Sequence, residues 1–170
     1  MKEFAYPAVI KYDRGDRAYT VEFPDLPGCV TFGETIDEAK VMAQEAISGY
    51  LASIFDRGFK IPVPSKMKGK ETYPISPESA VLVPILLRKI REEEHLNQTE
   101  AAKRLKISYQ SYQKFENPKK ANPRIKTIEK VFRSFGRDVT FSVSPAGSYA
   151  KTLPGVAYKK AYRKAASKKK

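Results

Sequence analysis

Residues 98–116 read QTEAAKRLKISYQSYQKFE, and the side chains gathered in their second half are of the kinds that recognise base edges. Gln110, Gln113 and Lys114 stand at i, i+3 and i+4, so on a helix they project from one face, with Tyr109 and Ser111 beside them at its start. A carboxamide offers a donor and an acceptor together and matches the N6 and N7 edge of adenine, while a lysine reaches guanine O6 and N7 or a phosphate. Each good base contact of this kind contributes about 1–3 kcal/mol of discrimination. Gln98 opens the preceding helix, where its amide and the helix-end N–H groups suit a phosphate. The candidate DNA contacts are therefore Gln98, Tyr109, Gln110, Ser111, Gln113 and Lys114.

The acids of the first hairpin point to a different chemistry. Asp13, Asp16, Glu22 and Asp25 are candidates for docking a basic protein, since charge complementarity favours orientation and association rate. Two-metal hydrolysis needs carboxylates converging on ions about 4 Å apart. Asp13, Glu22 and Asp25 are too concentrated in one hairpin and its turn to form such a cage, and no later acid completes it. His95 is the only histidine and follows Arg-Glu-Glu-Glu at a helix end, where an imidazole suits capping carbonyls. Cys29, the only cysteine, follows a Pro-Gly turn into a strand and reads as a small buried thiol. A single cysteine excludes an internal disulfide and a cysteine-rich metal site, and it fits a reducing cytoplasm. No catalytic residue, metal ligand or cofactor is expected.

Those side chains need elements to position them. YPAVIKY and AYTVEF, joined by DRGDR, predict a hairpin; PDLPG breaks the chain, and CVTFGE supplies a third short strand. Thr35 with Glu38 three residues on is a capping-box pattern. It opens a helix whose stripe is Ile36, Ala39, Ala43, Ala46, Ile47, Tyr50, Leu51 and Ile54, stopped at Gly58. KIPVPSKMKGK is extended, ETYPI is a fourth strand, and the first domain ends near residue 78. The following helix carries Pro84, which requires a start near it or a kink.

Asn97, Ser108 and Asn122 are then expected to cap three short helices, the last beginning at Pro123 and lined by Ile125, Ile128, Phe132 and Phe135 up to Gly136. In the first two, Ala101 and Ala102 are small enough for a close helix crossing, and Leu105, Ile107, Tyr112 and Phe115 face a core. DVTFSV, residues 138–143, predicts a lone strand that joins the N-terminal sheet or, the favoured partner, pairs with its copy in a second subunit. The fold class is α+β, with domains at 1–78 and 79–143 and a disordered tail over 144–170.

The net charge of +13 is uneven. Residues 1–78 carry ten Lys and Arg against twelve Asp and Glu; residues 79–143 carry fourteen against seven; residues 144–170 carry eight against none. The cations that suit a phosphate backbone thus lie in the second half. The N-terminus lacks an apolar stretch of signal-peptide length, and no run approaches the roughly 18 apolar residues of a membrane span. No membrane association is expected.

Gln98 through Glu116, with NPRIKTIEKVFRSFG after it, resembles the Cro/repressor helix-turn-helix. That resemblance implies that Gln98, Tyr109, Gln110, Ser111 and Lys114 touch operator DNA. One departure is Lys106, which stands where the turn usually has glycine, so the turn is strained or altered. Residues 6–65, with FPDLPGC, GET and IPVPS, resemble the HicB antitoxin family. A helix-turn-helix after such a domain is one of that family's arrangements, so the likeness covers residues 1–143. It implies a truncated ribonuclease-H-like sheet with one helix that masks HicA, a small basic toxin that cleaves mRNA. It also implies dimers or larger assemblies bound to the operator of their own operon. The residues alone leave a second reading open, a sensor-type repressor whose first domain binds a small ligand without a toxin partner. A third, a metal-dependent nuclease acting through Asp13 and Asp25, is disfavoured because the acids crowd one hairpin and its turn and no later acid completes a cage.

Overall fold

A computed structural model describes residues 4–121 and 124–140. Three strands open the chain: β1 (Tyr6–Asp13), β2 (Ala18–Glu22) and β3 (Val30–Gly33). A fourth, β4 (Thr72–Ile75), returns beside β1, giving an antiparallel sheet in the order β3-β2-β1-β4. Asp13 builds the first turn, its Oδ1 accepting from the backbone N–H of Gly15 (2.7 Å) and of Asp16 (3.2 Å). Pro7 lies opposite Pro74, a rung where neither residue can donate; β4 tolerates it as an edge strand.

The pleat sends alternate residues to opposite faces. One face carries Ala8, Ile10 and Val21 onto α1 (Ile36–Asp56), whose Ala39, Ala43, Ile47 and Leu51 complete the first core. Thr35 caps α1, its Oγ1 accepting from the N–H of Glu38, while the Glu38 carboxylate reaches back one residue past the cap to the N–H of Glu34. Gly33 ends β3 against the first turn of α1, where a Cβ would lie 2.4 Å from the Ala39 nitrogen. Only glycine permits that approach. The other face is open. On it Glu22 lies between Val9 and Val30, and Thr20 lies between Lys11 and Phe32.

Four helices follow: α2 (Ser79–Glu93), α3 (Gln98–Leu105), α4 (Tyr109–Phe115) and α5 (Ile125–Ser134). Helix α2 belongs to both cores, since Val81 and Ile85 pack with the sheet while Leu87 and Ile90 pack with α3, α4 and α5. Pro84 lies between Val81 and Ile85, buried and inside the helix, so α2 begins five residues ahead of it. Its missing N–H leaves the N-terminal half of α2 short of one bond. The start of α2 is pinned to α1: Ser48 Oγ accepts from the Glu78 N–H (2.9 Å) and Gln44 Nε2 donates to the Ser76 carbonyl (3.0 Å).

Several expectations shift. His95 ends α2 through its backbone and not its imidazole. It takes φ 55°, its N–H bonds Glu92 O, and the Leu96 N–H bonds Arg91 O, closing the six-residue left-handed cap. Helix α5 starts at Ile125 after Arg124, two residues later than a Pro123 start. The preceding turn, in which the Lys120 and Ala121 N–H groups both bond Asn117 O, delays the chain. Asn122 and Pro123 lie outside the described residues. Ile125 is 59% exposed, because it projects beyond the core that Val131, Phe132 and Phe135 fill. Asp138–Thr140 form no strand, the sheet edges being on the other module; residues 141–143 of that expected strand and the tail lie outside the described residues.

Candidate functional site

Helices α3 and α4 meet across Ala101 and Ala102, both buried, with Leu105 and Tyr112 beneath them. Their starts are fixed by side chains. Asn97 Oδ1 accepts from the Glu100 N–H (2.9 Å) and Glu100 Oε2 from the Asn97 N–H (2.8 Å), a full capping box; Ser108 Oγ accepts from the Ser111 N–H (3.2 Å). Lys106 adopts the left-handed conformation, φ 55° and ψ 44°, so the turn keeps the geometry glycine would give it and carries the strain of a Cβ there.

That frame puts Tyr109, Gln110, Ser111, Gln113 and Lys114 on the exposed side of α4. Gln98, half-buried, joins them through a chain of bonds. Tyr109 Oη donates to Gln98 Oε1 (3.3 Å) and accepts from Gln113 Nε2 (2.7 Å), and Gln98 Nε2 donates to Glu116 Oε2 (2.9 Å). The Ser111 hydroxyl lies 2.8 Å from that of Ser108, so it also serves the helix start. Gln98, Gln110, Gln113 and Lys114 all line one cleft of about 400 Å³. Amides held at fixed spacing beside a free ammonium are suited to base edges bordered by phosphate.

The anchor of this chain, Glu116, was not singled out by the sequence. It is 3% exposed, and its carboxylate accepts from Arg91 Nε (2.6 Å) and Nη2 (3.2 Å) and from Tyr112 Oη (2.7 Å) besides Gln98. Burial alone acts to lower the Arg91 pKa, but the bond to and charge of Glu116 outweigh it and the net direction is upward. Burial, and then the bond to Glu116, push the Tyr112 phenol upward too. The only sequence signal was an acid, QKFE, ending an otherwise basic helix.

The acids of the sheet module are not one patch. Asp13 and Asp16 sit at one end of the hairpin; Glu22 and Asp25 lie at the other, about 13 Å along β2. Asp13 is occupied with its turn, and Asp25 Oδ2 accepts from the Ser65 N–H (2.8 Å), tying FPDLPG to IPVPS. Asp16 and Glu22 are exposed. Beside Glu22, Val30 and Phe32 are 64% and 67% exposed on edge strand β3, an apolar pair that alternation over CVTFGE could have revealed. Among the described residues no three His, Cys, Asp or Glu side chains form a metal-binding group. Cys29 is buried, which raises its thiol pKa to about 11 and keeps it protonated. No described helix is long and apolar enough to cross a membrane.

Comparison with known proteins agrees with this geometry. The model for HicB-like antitoxins of bacterial toxin-antitoxin systems matches residues 6–108, and a helix-turn-helix model matches residues 87–141. Antitoxin HicB 1 of Photorhabdus laumondii subsp. laumondii is 30% identical over 146 residues, covering 84% of this chain and 89% of that one. Antitoxin HicB of Escherichia coli (strain K12) is 26% identical over 122 residues, 72% of this chain and 87% of its own. Among solved structures, the N-terminal domain of Burkholderia pseudomallei antitoxin HicB is 26% identical, covering 44% of this chain and 98% of that one with a TM-score of 0.38. A four-stranded sheet with one helix, a following set of short helices and matches along most of the chain converge: this protein belongs to the HicB-like antitoxin family and carries a helix-turn-helix.

Proposed function

We propose that this protein is a non-catalytic antitoxin of the cytoplasm that masks a HicA-type, mRNA-cleaving toxin and represses its own operon. The observation that carries the reading is that two recognition faces are exposed on separate modules of a chain in this family: the open side of the sheet and the polar side of α4. On the first, the apolar pair Val30 and Phe32 gives a basic partner a surface to bury, with Glu22 between strands as its charge complement. Asp16 adds charge at the far turn, and Asp13 and Asp25 act mainly through the turns they hold.

On the second face, Gln110, Gln113 and Lys114 read the major groove of operator DNA. Gln98 and Tyr109 are held for phosphate contact, and Ser111 shares the helix start. A homodimer would place two copies of α4 in major grooves one helical turn apart, about 34–36 Å. In this reading residues 1–78 are the toxin-binding domain and residues 79–143 the DNA-binding one, with α2 packed into both.

The test is co-expression with the small basic protein encoded beside it. Recovery of both at fixed stoichiometry, with binding weakened at least tenfold by Phe32→Asp and toxin activity restored, is the expected result. An antitoxin that purifies alone and is released from DNA by a metabolite would instead establish a ligand-sensing repressor.

A further inference from the structure

The cleft that Gln98, Gln110, Gln113 and Lys114 line has a second wall, formed by Phe55 and Asp56 at the C-terminal end of α1. Asp56 is paired with Lys119, in the turn after α4. Phe55 is held in place under Arg88 of α2, whose guanidinium carbon lies 4.8 Å from the ring centroid. The end of the sheet module's helix therefore stands directly before the reading face.

Two physical consequences point the same way. A reading helix enters a groove about 12 Å wide and about 8.5 Å deep, bordered on both sides by phosphate strands. With Phe55 and Asp56 lining its far side, a cleft of about 400 Å³ leaves little room for a bordering strand. Electrostatics add to the obstruction, because Asp56 repels an entering phosphate and engages Lys119, a cation placed to receive one. Helix stability does not explain the acid: Asp56 is the last residue of α1, where a negative charge opposes the helix dipole and no basic side chain accompanies it.

We propose that the end of α1 is an autoinhibitory latch on the DNA-reading face: Asp56 must part from Lys119, and the cleft must widen, for a duplex to dock on α4. This rests on the DNA-binding reading above. The latch is light, since Lys119 is 69% and Asp56 31% exposed and so exposed a pair is screened by salt.

The experiment measures binding of the full-length chain to a duplex from upstream of its own gene, across a salt series. The proteins compared are wild type, Asp56→Asn, Asp56→Arg and Asp37→Asn. Asp37→Asn makes the same charge change at the other end of α1, about 30 Å away. Asp56→Asn is expected to tighten binding about three- to tenfold at low salt, Asp56→Arg to tighten it further, and Asp37→Asn to leave it within about 1.5-fold, the gains shrinking as salt rises. Unchanged or weaker binding by both Asp56 variants, or an equal gain from Asp37→Asn, overturns the latch while leaving DNA binding intact. Gln110→Ala run alongside separates the two ideas: if no protein binds in a Gln110-dependent way, the DNA reading fails and the latch with it.

Discussion

Glu116 receives four hydrogen bonds from three side chains while almost wholly out of water. A buried charge is tolerable only when paired and bonded in this way, and removing one partner strands the other. Glu116→Ala leaves the Arg91 guanidinium, 11% exposed, with only the more distant Glu92 carboxylate (3.8 Å) and frees Gln98, Tyr109 and Gln113 from their common anchor. The expected loss is about 3–5 kcal/mol, read as a lower urea midpoint at unchanged slope. DNA affinity falls with it even at temperatures where the variant is folded. Unchanged stability would mean that the network does not carry the helix-turn-helix. That Tyr109, Gln110, Ser111, Gln113 and Lys114 share an exposed side of α4 was legible, because surface amides and a lysine at helical spacing are a local pattern. Glu116 was not, because beyond Tyr112 its partners Arg91 and Gln98 lie 25 and 18 positions away and only the packing of α2 against α3 and α4 brings them together.

Among elements, the starts of α1, α3 and α4 and the glycine stops of α1 and α5 were legible, whereas the starts of α2 and α5 were not. Thr35, Asn97 and Ser108 each cap as their side-chain chemistry dictates, since a cap is decided within four residues. The stops differ: Gly58 and Gly136 end α1 and α5 in the left-handed conformation that glycine adopts freely, whereas His95 and Lys106 are driven into it by the packing on either side. Lys106→Gly removes that strain and should raise stability by roughly 0.5–1 kcal/mol after the greater freedom of glycine in the unfolded chain is discounted. Thermal unfolding of the variant checks it, and a lower midpoint would show that the lysine side chain contributes more than its backbone costs. The four strands followed from alternation and turn residues, but their order did not, because the return of β4 beside β1 is a long-range pairing. The sharing of α2 between two cores did not, because periodicity reports an apolar stripe and not which neighbours cover each half.

At the scale of the whole molecule, the two modules differ in charge as well as fold, with the cations concentrated after residue 79. Residues 144–170 carry eight Lys and Arg and no acid, so deleting residues 151–170 should weaken binding to all duplexes alike and flatten the salt dependence through lost counterion release. A change in sequence preference instead would make the tail a reader of bases. The sheet module and α4 are linked by α2 and by the Asp56–Lys119 pair, while the faces proposed for toxin and DNA lie on different modules. The account is tested most directly by Gln110→Ala/Lys114→Ala, assayed in parallel against operator duplex, a scrambled duplex and the toxin at one salt concentration. We predict a loss of operator preference of at least tenfold, about 1.4 kcal/mol, with toxin affinity unchanged. Operator binding equal to wild type, or a matching loss of toxin binding, would contradict it.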